Sequence, residues 1–160
     1  IQAGIDYSAE KRMFNSAVLA MEEELFSRIC AAADPLAEAI KYAAAANYID
    51  FAKLSDLGAD SLETVRQAAT RTVPDPGTLA LLKSRLSVAS SLLYVHDNCG
   101  EVVFDKILIR IIKRLYPAVN VVSLVRGGEI INDAIRVDAA FIGLEKYARV
   151  EDSGGAIPGT

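Results

Sequence analysis

The sequence predicts an α/β fold: a helical first half, then a Rossmann-like parallel sheet in a three-layer α/β/α arrangement. Two observations carry this. Apolar residues of the first half recur at helical spacing, and from about residue 89 short β-branched runs alternate with amphipathic segments. Strand, helix, strand, helix, strand with tight connections argues for parallel strands joined by right-handed crossovers. Residues 1–88 read as a helical segment packing on the sheet and 89–160 as a βαβαβ unit. Together they form one structural domain, expected to be incomplete at both ends.

From Ser8 to Cys30 there is no proline or glycine, and Met13, Phe14, Ala17, Val18, Met21, Leu25 and Ile29 mark one helical face. Asp34-Pro35 opens the next helix, since the acid caps free N–H groups and proline has none to waste at the first position. That helix runs through an alanine-rich stretch to about Ala46. Asp60-Ser61-Leu62-Glu63 has capping-box spacing and opens a helix through Thr70. Asp75-Pro76 opens another, carried by Leu79, Leu82 and Leu86. Ser91 to His96 suits a buried strand, although pattern alone also admits a helix end. From Glu101 to Leu115 the polar positions Glu101, Asp105, Lys106, Arg110, Lys113 and Arg114 oppose an apolar face, which predicts a helix of nearly four turns. Asn120 to Val125 is the second strand, Asn132 to Leu144 a helix, and Tyr147 to Glu151 the third strand.

The 160 residues suffice for one domain with a core. Apolar residues make up 52% and charged residues of both signs 24%, which separates the chain from disordered sequences. A net charge of −4 without a basic block argues against a nucleic-acid partner. No apolar run approaches the roughly 18 to 20 residues of a membrane span. Ile1 is not an initiator methionine, so a targeting segment upstream stays possible. Cys30 and Cys99 fit no metal-ligand spacing; two unpaired thiols in a reducing compartment is the reading preferred over a bridge between them, and the expected location is cytoplasmic.

In parallel sheets ligands collect beyond the C-terminal ends of the strands. Three loops are expected there: Asp97 to Gly100, Arg126 to Asp133, and Asp152 to Thr160. Asp97 and Asn98 offer hard oxygen ligands for a divalent cation. The helix after Gly100 offers free N–H groups and a positive dipole end to a phosphate. The next loop brings Asn132-Asp133 alongside, so that Asp133 faces Asp97, and Arg126 is placed to pair with a phosphoryl oxygen. Each piece has a plainer reading beside it. Asp97-Asn98 makes a turn, Asn132-Asp133 caps a helix, Asn47 is a helix C-cap and Glu101 a first-turn acid. Asp105 reads as a solvated or capping acid, and His96 as packing turned away from Asp97.

At these residues a family resemblance enters. D-N-C-G-E-V-V-F-D-K (Asp97 to Lys106) resembles the D-N-A-G-E-x-V-x-D signature of the damage-control phosphatases, a family long catalogued as a domain of unknown function. V-R-G-G-E-I-I-N-D-A (Val125 to Ala134) resembles its R-G-x-P-x-x-N-D motif, in the wording of the prokaryotic branch. A-N-Y-I-D-F (Ala46 to Phe51) is similar to its G-N-x-x-D-F element, and Ser153 to Thr160 to its S-x-G-x-x-x-P-G-T loop. Asp6 through Asn15 resembles D-P-Y-x-x-x-K-x-x-x-N. The chain departs from the pattern at Ala46, Cys99 and Glu129, where family members carry Gly, Ala and often Pro.

The resemblance implies that Asp97, Asn98 and Asp133 bind a divalent metal (Mn, Ni, Co or Mg), with Asp97 and Asp133 also catalytic. It implies that Asn47, Asp50, Glu101, Arg126, Ser153 and Gly154 face the substrate. The expected activity is metal-dependent hydrolysis of small phosphorylated metabolites, such as sugar phosphates or damaged cofactor phosphates. The alternatives are a non-catalytic metal or phospholigand module and a protein carboxyl methyltransferase. The methyltransferase ranks last, because the first loop carries Asp-Asn with one glycine and the second strand runs into Arg126.

Overall fold

The computed structural model describes residues 6–49 and 61–155. Seven α-helices and a three-stranded sheet are formed among them. The helices α1 (Ser8–Leu19), α2 (Glu22–Cys30), α3 (Pro35–Ala46), α4 (Ser61–Thr70) and α5 (Pro76–Leu86) precede the sheet. Then β1 (Ser91–Val95), α6 (Glu101–Leu115), β2 (Asn120–Val125), α7 (Arg136–Phe141), a 3-10 turn at Leu144–Lys146 and β3 (Arg149–Asp152) follow. The strands are parallel in the order β1-β2-β3, with Ser91 opposite Asn120 and Val122 opposite Arg149. This is the helical half and parallel sheet that the sequence predicts.

Local chemistry explains the element starts. The Asp34 carboxylate accepts the Ala37 N–H at 3.2 Å and Asp75 accepts that of Thr78 at 2.7 Å, each with proline in the first helical turn. Asp60, the other expected helix-opening acid, lies outside the described residues. Inside α6, Val102, Val103, Phe104, Ile107, Ile109 and Ile111 are buried, and α3 packs across this helix. Burial of each such side chain is worth about 1.5–3 kcal/mol. Buried residues from Val18 to Val150 join one hydrophobic cluster.

Four expectations change. The single helix over Ser8 to Cys30 is broken at Ala20–Met21 into α1 and α2. The break lets Leu25 and Ile29 stay buried while Glu22 meets the buried cations of α6, and the acids Glu22 to Glu24 occupy the positive end of the new helix. The buried face of α1 is Lys11, Asn15 and Val18, whereas Met13 is 42% exposed. Lys106, one of the polar positions opposing the apolar face, is nonetheless only 4% exposed because Glu22 and the Ile142 carbonyl accept its ammonium. The helix expected over Asn132 to Leu144 shrinks to Arg136–Phe141, since the residues before it are spent on backbone pairing and Gly143, at φ 71, closes it.

The strands have two unlike faces. Val121, Ser123, Val125 and Val150 are buried. On β1 the opposite face leaves Leu93 and Val95 60% and 65% exposed, although parallel sheets are ordinarily covered on both sides. Cover on that side is not supplied by the described residues. None of the described helices is long and apolar enough to cross a membrane.

Candidate metal and phosphate site

The backbone brings two of the expected loops together at the C-terminal ends of β1 and β2. His96 N–H still donates to the Leu124 carbonyl at 2.9 Å, one residue past β1. Beyond it the chains zip differently. Ala134 N–H donates to the Asp97 carbonyl at 2.7 Å, Cys99 N–H to the Asn132 carbonyl at 2.8 Å, and Arg126 N–H to the Ala134 carbonyl at 2.9 Å. Asn98 and Asp133 thereby form an isolated antiparallel bridge. Residues directly opposite in such a pair carry their Cβ atoms on one side, about 4.5–5.5 Å apart. Asn132-Asp133 is therefore not a helix cap; Ile135 holds that position, and the Asp138 carboxylate accepts its N–H at 3.0 Å. Close by, Ile131 has φ 44, a conformation that costs a β-branched residue about 1–3 kcal/mol.

Asp97 is exposed, and no hydrogen bond to its carboxylate is formed among the described residues. The Asn98 amide nitrogen donates to Glu101 Oε1 at 3.1 Å, which leaves its carbonyl oxygen for another partner. Arg126 Nε donates to Asp133 Oδ2 at 2.9 Å, so the arginine expected to face a phosphate also orients the second candidate ligand. Burial pushes the Glu101 carboxyl up, the Asn98 amide pulls it down, and the Asp97 charge adds to the rise. Asn47, Asp97 and Glu101 line one cleft of about 320 Å³ with Tyr94 and Asp105. Arg126 and Ser153 line a smaller cavity of about 110 Å³ with His96. Asn47 does end α3, in a right-handed conformation. Asp50 and residues 156–160 of the third loop lie outside the described residues.

The third loop is tied to the second. Gly127 N–H donates to Ser153 Oγ at 3.2 Å, and Ser153 N–H to the Val125 carbonyl at 3.0 Å. Gly154 takes φ 75, and its N–H donates to Asp152 at 2.9 Å. A Cβ on Gly127 would lie 2.4 Å from the Gly155 nitrogen and 2.8 Å from Gly154. Gly127→Ala is accordingly expected to lower unfolding free energy by about 1–3 kcal/mol through overpacking, measured by urea denaturation.

The expectation of free N–H groups at the start of α6 is narrowed. At the start of α6 the Gly100, Val102 and Val103 N–H groups are taken by Asn15 Oδ1, the Asn98 carbonyl and the Gly100 carbonyl. The helix dipole remains, but these three donors are not open to a ligand.

The donor chemistry fits a hard divalent cation: two carboxylates and an amide oxygen on adjoining loops. Among the described residues, no group of three or more His, Cys, Asp or Glu side chains is arranged to hold a metal. Cys99 is an unsuitable ligand, because burial pushes its thiol up to about 12 and keeps it protonated at neutral pH.

Residue-by-residue sequence reading missed a layer of polar side chains beneath the loops. Lys11 is 1% exposed, with its ammonium 2.9 Å from Glu129 and 2.8 Å from Asp138. Asn15 is fully buried, and its Oδ1 accepts the Gly100 N–H at 2.7 Å. Asp105, read as a solvated or capping acid, accepts both the Tyr94 hydroxyl at 2.6 Å and His96 Nδ1 at 3.0 Å, and the His96 ring stacks on Tyr94. The signal was present: Lys11 and Asn15 are the lysine and asparagine of the D-P-Y-x-x-x-K-x-x-x-N resemblance, four residues apart on one helix face.

A family model described as the damage-control phosphatase ARMT1-like domain matches residues 6–160. The uncharacterized protein MJ0202 of Methanocaldococcus jannaschii is 37% identical over 68 residues, 42% of this chain and 22% of that protein. Damage-control phosphatase PH1575 of Pyrococcus horikoshii is 42% identical over 71 residues, 44% of this chain and 24% of that protein. The crystal structure of PH1575, described as a DUF89 family protein, superposes with a TM-score of 0.74 at 27% identity, covering 92% of this chain and 50% of that one. The chain thus spans half the length of the solved structure it resembles.

Proposed function

We propose that this chain, which belongs to the damage-control phosphatase ARMT1-like domain family, carries the metal-binding part of a phosphatase acting on small phosphorylated metabolites. Sugar phosphates and damaged cofactor phosphates are the substrate classes proposed, and the cytoplasm is the proposed location. Residues 1–88 and 89–160 act as one structural domain in this reading. The observation that carries it is the backbone bridge between Asn98 and Asp133, which joins the loops bearing the candidate ligands.

Asp97, Asn98 and Asp133 would hold the divalent cation. When bound, it would supply Lewis-acid polarisation of a phosphoryl oxygen and lower the pKa of a coordinated water. Arg126 fixes the Asp133 carboxylate and adds positive charge where negative charge develops on the transferring group. Glu101 orients the Asn98 amide. Burial raises its carboxyl and the Asn98 amide opposes that rise, and its place on the wall of the cleft makes it a proposed substrate contact. Asn47, which lines the same cleft, and Ser153 and Gly154, in the third loop, are the proposed substrate contacts, with Asp50 three residues after Asn47 in sequence.

The test is phosphate release by the natural full-length protein from a panel of phosphoesters, with and without added Mn, Ni, Co or Mg. Release that depends on added metal and is abolished by EDTA is the expected result. Equal release in EDTA overturns the metal reading, and no release with any metal favours a binding module.

A further inference from the structure

We infer that α1 is a clamp that sets the spacing of the two site loops, with Lys11 and Asn15 as positioning residues. The inference rests on the reading of Asp97, Asn98 and Asp133 as the residues that hold the metal. Lys11 and Asn15 lie one helical turn apart on the buried face of α1, and each grips a different loop. Asn15 Oδ1 accepts the N–H of Gly100, which sits at φ 88 between Asp97-Asn98 and α6. Lys11 bridges Glu129 and Asp138, and Asp138 in turn accepts the Ile135 N–H at 3.0 Å. Glu129 and Ile135 flank the short segment that contains Asp133.

A rigid helix thus spans the two loops through directional polar contacts. Burying an ammonium costs several kcal/mol of desolvation, which an apolar side chain at the same place would avoid. An apolar pair would fill the volume but would not direct the Gly100 N–H or tether the flanks of Asp133. Groups beneath a metal's direct ligands typically change its affinity about 10- to 100-fold when removed.

The experiment uses Asn15→Leu, which keeps the volume and removes the acceptor, and Asn15→Asp, which restores an acceptor, in the full-length protein. Asn15→Ala carries the same measurements if the leucine variant does not fold, and Lys11→Met carries the Mn²⁺ titration. Amide exchange at Gly100 in EDTA-treated protein reports the clamp itself, and calorimetric titration with Mn²⁺ reports its effect on the ligands. Asn15→Leu is expected to speed Gly100 exchange about tenfold, the loss of one hydrogen bond, with the interior of α6 unchanged. It is also expected to weaken Mn²⁺ binding about tenfold or more, with recovery in Asn15→Asp. Unchanged Gly100 exchange overturns the clamp. So does Mn²⁺ affinity that stays at the wild-type value in Asn15→Leu while Asp97→Asn loses it. Mn²⁺ binding unaltered in Asp97→Asn as well would instead overturn the metal reading, and with it the clamp's role.

Discussion

Asp97→Asn is expected to lower phosphate release by the full-length protein about a thousandfold while leaving its stability nearly unchanged. The magnitude follows from the chemistry. A bound metal supplies several kcal/mol of charge stabilisation in the transition state, and each 1.36 kcal/mol is a factor of ten, so loss of about 4 kcal/mol gives roughly 10³. The stability expectation follows from placement. Asp97 is exposed and its carboxylate takes no hydrogen bond among the described residues, so substitution is expected to shift unfolding by no more than about 0.5 kcal/mol. The contact that matters for the loop, Ala134 N–H to the Asp97 carbonyl, belongs to the backbone and survives the change. Phosphate assay beside urea denaturation checks both halves. Retention of a tenth or more of the activity removes Asp97 from the chemistry.

Glu22→Ala is expected to be the most destabilising substitution, at about 3–5 kcal/mol. Glu22 is 7% exposed and binds two cations of α6: Lys106 at 2.6 Å and Arg110 at 2.8 Å. Burial already pulls the Lys106 ammonium below its ordinary 10.5 even with Glu22 beside it. Removing the acid leaves that charge in the core with a single carbonyl. Arg110 is less exposed to the loss, because Glu23 and the Phe26 ring also hold it. The companion variant Glu22→Leu with Lys106→Met removes both charges and is expected to recover most of the loss, since apolar replacement of a buried pair is often neutral. Urea midpoints of the two variants test this; a double variant as unstable as Glu22→Ala would assign the cost to packing instead.

These buried charges also mark where sequence reading stops. The helical period puts Lys106 on the polar face of α6 with Asp105 and Arg110. Whether a polar position meets water or another element depends on what packs there. Here α2 delivers Glu22 after a bend in a segment without proline or glycine. The same limit applies to Asp105, whose partners Tyr94 and His96 come from β1. It applies too to Lys11 and Asn15, whose partners are 85 or more residues away.

By itself the sequence determined the class of fold, the bounds of α3, α5, α6 and β2, and the family, because these depend on local signals: proline beside a capping acid, a 3.6-residue apolar period, β-branched runs, and contiguous motifs. Only the tertiary structure decided that Asn98 and Asp133 pair through their backbones, that the Gly100, Val102 and Val103 N–H groups at the start of α6 already have partners, and that one turn of α1 grips both loops. Those facts depend on the register between segments far apart in the chain. A long-range contact reports itself in one sequence only as an unexplained polar residue on an apolar face.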